Sequence, residues 1–320
     1  MEAHGSILWA IMSAENPVQT PQGNRSKGQW LLLLCAVIWG SGFVAQRLGM
    51  RALGPFSYML GRYILGGLCL LPLVLSQARK AARKGAPWPL KPVLLAALVC
   101  GLILFIASSL QQHGLKTTPA GRAGFLTTMY LVLVPVFGLF LGKRPRPIVW
   151  LAIAIAVVAV YLLSVTEGFT LAAGDLTVLW GAFFWAWHIL AIDHFNTHVE
   201  GIAIACGQFL VCGVLAGVAA LLFETPSIAQ YQQGFWAVLY SGIFVVAIAF
   251  TLQVLGQRGV NPSIAALILS TEAVWAVVFG GLILHERLSP REVLGSLLMA
   301  VAVILVQLPD KKTALGREIT

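Results

Sequence analysis

Two ionisable side chains stand where the surrounding sequence is almost entirely hydrocarbon. Glu272 lies ten residues past Pro262 in an apolar stretch running from Pro262 to Leu284, and Arg62 lies seven residues past Pro55 in the stretch from Pro55 to Leu75. At about 1.5 Å per helical residue, these depths are about 15 Å and about 10 Å. A lone carboxylate near a bilayer centre has few ways to remain charged, so Glu272 can exchange protons, meet a substrate ammonium, or serve only as a buried hydrogen bond between helices. An arginine at the depth of Arg62 can bind carboxylate or phosphate through its planar fork, take part in gating, snorkel, or form a purely structural ion pair. On the helix of Glu272, Trp275, Ala276 and Phe279 share its face at spacings of three, four and seven, giving the acid an aromatic neighbour for an organic solute. Trp39, Trp185 and Tyr130, Gln112 within the cluster Gln111 to His113, His188 and Gln208 complete the candidate set of polar and aromatic residues inside apolar stretches. For the tryptophans packing is the competing role, and for His188 a structural hydrogen bond.

Bond-making chemistry lacks its usual residues. His194 and His198 have the spacing of a metal pair, but no Glu completes a HExxH pattern, and no metal or cofactor is expected. No phosphate-binding glycine loop, nucleophile elbow or pair of carboxylates is present. The five cysteines Cys35, Cys69, Cys100, Cys206 and Cys212 all fall inside apolar runs and read as buried thiols.

The elements that position these residues follow from composition. Of 320 residues, 58% are apolar and 10% charged, and the mean hydropathy is +0.86. That balance excludes a soluble enzyme. Ten candidate spans emerge: Trp30 to Leu48, Pro55 to Leu75, Val93 to Leu115, Pro119 to Leu141, Ile148 to Val165, Asp175 to Asp193, Gly201 to Phe223, Phe235 to Gln257, Pro262 to Leu284 and Pro290 to Leu308. Residues 1–28 read as a cytoplasmic tail whose short apolar stretch, Ser6 to Ala14, lacks the basic flank of a secretory signal. Residues 309–320 form the other tail. The net charge of +9 comes from Lys and Arg between spans, including Arg79, Lys80, Arg83, Lys84, Lys91, Lys143, Arg144, Arg146 and Arg258, where the positive-inside rule expects them with both termini cytoplasmic. No nucleic-acid partner is implied.

The chain also repeats itself. An offset of 143 pairs Pro119 with Pro262, Ala123 with Ala266, Thr128 with Thr271, Gly138 with Gly281 and Pro147 with Pro290. An offset of 146 pairs Trp39 with Trp185, Ala45 with Ala191, Gly61 with Gly207 and Gly67 with Gly213. Residues 29–165 and 174–308 thus form two five-helix repeats, and because five is odd the second is inverted in the membrane. The expected fold class is an all-α integral membrane protein with ten transmembrane helices in two inverted-topology halves, the architecture of secondary transporters. At the level of Arg62 the second half carries Gln208, and at Glu272 the first carries Met129, so the halves differ chemically. The pairs Gly213 with Gly217 and Gly138 with Gly142 have the spacing that permits close helix packing.

Specific motifs carry a resemblance. The segment Ser270-Thr271-Glu272-Ala273-Val274-Trp275-Ala276, followed by Gly280-Gly281 and His285-Glu286-Arg287-Leu288-Ser289, resembles the ninth-span signature of the EamA-type branch of the drug/metabolite transporter superfamily. Trp39-Gly40-Ser41-Gly42-Phe43 and Arg62-Tyr63 are similar to its opening half. The likeness covers about Trp30 to Leu308. It departs at Gly142-Lys143-Arg144, where the family usually has an acid in place of Lys143, and at His285, where it usually has Gly. The resemblance implies a central cavity lined by spans one to four and six to nine. The polarity pattern agrees, since spans five and ten are nearly free of polar side chains and suit a lipid-facing periphery.

The resulting expectation is an inner-membrane secondary transporter, not an enzyme, that exports a small polar, amino-acid-like metabolite by alternating access. Protons are the candidate coupling ion, and a homodimer is left open. Uptake or exchange of a nucleotide-like or other anionic metabolite, favoured by Arg62 and by Arg122 near the outer end, is the alternative transport reading. A membrane-embedded enzyme or lipid-modifying subunit is the alternative from another class.

Overall fold

The computed structural model describes residues 22–85, 87–118, 120–164, 173–284 and 289–307. The start of the N-terminal tail with Ser6 to Ala14, the C-terminal tail, and the signature residues His285, Glu286, Arg287 and Leu288 lie outside the described residues, as does the side chain of Arg122. All regular elements among the described residues are helices. They are α1 (Gln22–Gly49), α2 (Pro55–Arg83), α3 (Leu90–Gly114), α4 (Ala120–Thr128), α5 (Tyr130–Phe140), α6 (Pro147–Ser164), α7 (Ala173–Phe195), α8 (Gly201–Phe223), the short α9 (Ile228–Gln233) and α10 (Phe235–Tyr240), a π-helical segment (Ser241–Phe250), α11 (Thr251–Gln257), α12 (Pro262–Leu269), α13 (Glu272–Leu284) and α14 (Pro290–Gln307). Helix α1 begins at Gln22, within the expected 1–28 tail.

Among the described residues seven stretches are long and apolar enough to cross a membrane, and Tyr130–Phe140, Pro147–Leu162 and Val293–Val306 are shorter apolar helices. Leu98, Val218, Leu221, Phe223 and Ile304 point outward, each more than half exposed. Water would penalise such a surface and hydrocarbon would not. The chain is a multi-pass membrane protein.

Local sequence explains the ends. Pro55 and Pro262 occupy first-turn positions, where a missing N–H costs nothing, and the Asn261 side chain accepts from Ser263 N at 2.9 Å. The fourth and ninth expected spans are each split. Between α4 and α5, Met129 N bonds Leu126 O at 3.3 Å. Between α12 and α13, Thr271 N bonds Ile268 O at 3.2 Å, while Ser270 Oγ and Thr271 Oγ1 donate back to Leu267 O at 2.8 Å and Ile268 O at 2.7 Å. Contacts of this i to i−3 type tighten the turn and interrupt the α-helical ladder.

Packing relies on close approaches. Helix α2 crosses α8, α3 lies against α7 and α8, α1 against α13 and the π-helical segment, and α6 against α14. A Cβ added at Gly67 would stand 2.6 Å from Leu210, and one at Gly213 would stand 2.8 Å from Ile64, so both glycines let α2 and α8 meet closely. The offset of 146 carries the first contact onto the second. Gly217 likewise packs on Leu60. The Gly138 and Gly142 pair behaves differently from the packing expectation. Gly142 has φ +73° with no atom near its missing Cβ, and Lys143 N reaches back to Gly138 O at 2.8 Å, so the pair terminates α5.

Candidate functional site

The interrupted spans lead to a small, narrow cavity between the helices. Its wall takes Trp39, Phe43 and Gln46 from α1, Arg62 and Tyr63 from α2, and Gln111 from α3. Opposite stand Thr127 of α4, Tyr130 of α5, Trp185 and Ile189 of α7, Val245 and Phe250 of the π-helical segment, Gln253 of α11 and Glu272 of α13. None of these residues belongs to α6 or α14.

Arg62 is 3% exposed, and no carboxylate is recorded within ion-pair distance of it among the described residues. Its guanidinium donates to Tyr63 Oη at 3.2 Å and lies 4.7 Å from the centre of the Tyr63 ring and 5.4 Å from that of Tyr58. Cation–π contact and one neutral acceptor hold the charge without neutralising it. Both tyrosines are themselves fixed, Tyr63 Oη to Ser108 Oγ at 2.6 Å and Tyr58 Oη to Ser241 Oγ at 2.5 Å. Arg62 Nε has no hydrogen-bond partner among the described residues. Glu272, 4% exposed, opens α13 at the break and accepts from Tyr130 Oη at 3.2 Å.

Aromatic rings line one side. Trp39 meets Phe250 edge-on with centroids 4.7 Å apart, and Trp185 stacks on Phe250 at 5.9 Å and 26°. Trp185 Nε1 donates to Gln111 Oε1 at 3.1 Å, which fixes the indole. The cavity therefore brings aromatic rings, a guanidinium and a carboxyl group together in one space.

Of the residues singled out from sequence, Arg62, Glu272, Trp39, Trp185 and Tyr130 line this cavity together. The other four do not. His188 is buried behind the wall, its Nε2 2.8 Å from Gln208 Oε1 and its ring edge-on to Trp185 and Phe250, so His188 and Gln208 form an interior pair. Trp275 packs on α1, where a Cβ on Gly40 would come within 2.4 Å of it. Gln112 is fully buried away from the lining, because the turn of about 100° per residue aims its neighbour Gln111 inward in its place. Thr127, Gln46 and Phe250 also line the cavity, and so does Gln253, a polar span residue expected to face the bundle interior. Gln253 stands out as a polar residue in a span, whereas Phe250 has no signal separating it from lipid-facing phenylalanines.

A multi-pass helical membrane protein with a mixed polar and aromatic cavity at interrupted helices belongs to the class of solute transporters. The family model of the EamA-like transporter family matches residues 26–165 and again 172–308, and the chain belongs to that family. It is 30% identical over 280 residues, 87% of this chain and 84% of the other, to an uncharacterized transporter of Archaeoglobus fulgidus. It is 27% identical over 279 residues, 85% of this chain and 88% of the other, to the uncharacterized inner membrane transporter YedA of Escherichia coli K12. One solved crystal structure shares the fold with a TM-score of 0.73 at 21% identity, covering 92% of this chain and 99% of that chain.

Proposed function

We propose that this transporter exports a small, polar, amino-acid-like metabolite across the inner membrane by alternating access of two inverted five-span halves, with both termini cytoplasmic. The carrying observation is that Arg62 and Glu272 line one cavity without pairing to each other. A carboxylate can meet the guanidinium bidentately and an ammonium can meet Glu272, while the rings of Trp39, Trp185 and Phe250 accept the carbon skeleton. Support for the inverted halves comes from packing. The contact of Gly67 with Leu210 maps onto that of Ile64 with Gly213 through the offset of 146. Breaks at Met129 and at Ser270-Thr271 fall at matching places in the two repeats. Glu272 is the candidate for proton coupling.

A specific observation favours a second reading. Among the described residues no carboxylate pairs with Arg62, which also suits exchange of a nucleotide-like or other anionic metabolite. Counterflow into liposomes holding the purified chain separates the two. Uptake of labelled amino acids with no uptake of nucleotides supports the first reading, and the reverse replaces it. Comparing metabolite pools outside and inside cells with and without the protein then gives the direction of transport.

A further inference from the structure

Among the described residues, several buried polar atoms of residues in the cavity wall have no hydrogen-bond partner, including Trp39 Nε1, Thr127 Oγ1 and Gln253 Oε1. Thr127 is 3% exposed and Gln253 is 1% exposed. Hydroxyls in helices normally satisfy themselves on the preceding turn, as Ser270 and Thr271 do at the other break. Ser270 is the residue that the offset of 143 pairs with Thr127, yet only Thr127 leaves its hydroxyl unused. Buried polar atoms without partners are uncommon in folded proteins, and here three of them belong to residues that line one cavity, from α1, α4 and α11.

We propose that Thr127 and Gln253 form a selectivity subsite that reads a hydrogen-bonding group on the solute's side chain, so that the cavity favours polar solutes over hydrocarbon solutes of the same shape. This rests on the amino-acid-like reading above and adds to it what the side chain must carry. Gln253 Oε1 can only accept, so the matching group has a donor: a hydroxyl or a primary amide fits, an ether or thioether does not. Thr127 Oγ1 can donate or accept, and Trp39 Nε1 can only donate, which serves the solute's own acceptor. These atoms have almost no accessible surface as they stand, so each meets a solute only through a turn of its own side chain toward the cavity. A polar side chain then supplies the missing bonds, whereas a methyl in the same place leaves donors and acceptors buried and dry.

The test uses the full chain, purified and reconstituted, with affinities measured by competition for counterflow. The probes are two near-isosteric pairs of L-amino acids, threonine with valine and asparagine with leucine. Wild-type protein should prefer the polar member of each pair by about tenfold or more. Thr127→Val and Gln253→Met should each shrink that preference to about threefold or less, and Thr127→Ser, which keeps the hydroxyl, should restore it. Equal affinity within both pairs in the wild-type protein overturns the proposal without touching the amino-acid-like reading, and this comparison stands even where a variant does not fold. An undiminished preference in both folded variants overturns the assignment to these two residues. Failure to bind any of the four probes, with nucleotides bound instead, overturns the amino-acid-like reading and the proposal together.

Discussion

Tyr130 and Glu272 are each the first helical residue after the break in their span, and they meet across the cavity wall, Tyr130 Oη donating to Glu272 Oε1 at 3.2 Å. Their sequence separation of 142 is one short of the repeat offset, so near-equivalent points of the two halves touch at the acid. A motion that rocks one half against the other must stretch or exchange this bond. The acid is therefore placed where protonation, solute contact and the relative position of the halves can influence one another.

Glu272→Gln preserves size and hydrogen bonding while fixing the neutral form. If the acid couples protons, reconstituted Glu272→Gln should exchange labelled solute at equal pH but lose accumulation driven by a pH gradient. If it binds an ammonium instead, both activities should fall. Gradient-driven accumulation and solute affinity equal to wild type would reduce the carboxylate to a structural partner of Tyr130.

Arg62→Lys keeps the positive charge but loses the planar fork and its stacking over Tyr58 and Tyr63. Transport should fall about tenfold or more while membrane insertion persists, and Arg62→Gln, which copies Gln208 of the other half, should be worse. Measured rates in liposomes at matched protein content decide this. Wild-type rates in both variants would remove Arg62 from the binding site.

The inverted arrangement predicts opposite exposure of corresponding loops. In a cysteine-free background, Lys143→Cys should react with an impermeant thiol reagent only from the cytoplasmic side, and Ser289→Cys only from the outside. Both loop positions are accessible enough for the reagent. Labelling of both from one side would falsify the inversion.

Glu224 fastens the start of α2. Its carboxylate accepts from Phe56 N and Ser57 N, each at 2.9 Å, and from Ser57 Oγ at 2.6 Å, joining the end of α8 to a helix N-terminus whose orphan donors and dipole favour an anion. Glu224→Ala should cost about 1–3 kcal/mol of stability. The readout is a lower Tm of the detergent-solubilised protein. An unchanged Tm would mean that water replaces the cap at no cost.

The residues that order the chain along the membrane were legible because hydrocarbon imposes its rule residue by residue. Apolar run lengths, the prolines at helix starts and the basic residues between spans need no tertiary information. Arg62 and Glu272 stood out for the same reason, since a charge inside a long apolar run is costly wherever the helix later packs. The family followed from motifs around Trp39, Arg62 and Glu272. Tertiary structure decided which way each side chain faces. A membrane helix can be apolar all round, so hydropathy does not mark its inner side, and nothing in sequence put Gln111 on the cavity and Gln112 off it, or Phe250 inside and Phe223 outside. It also decided that Trp275 packs on Gly40 and that His188 turns to Gln208, because those choices depend on the distance and rotation between helices, quantities that no single helix contains.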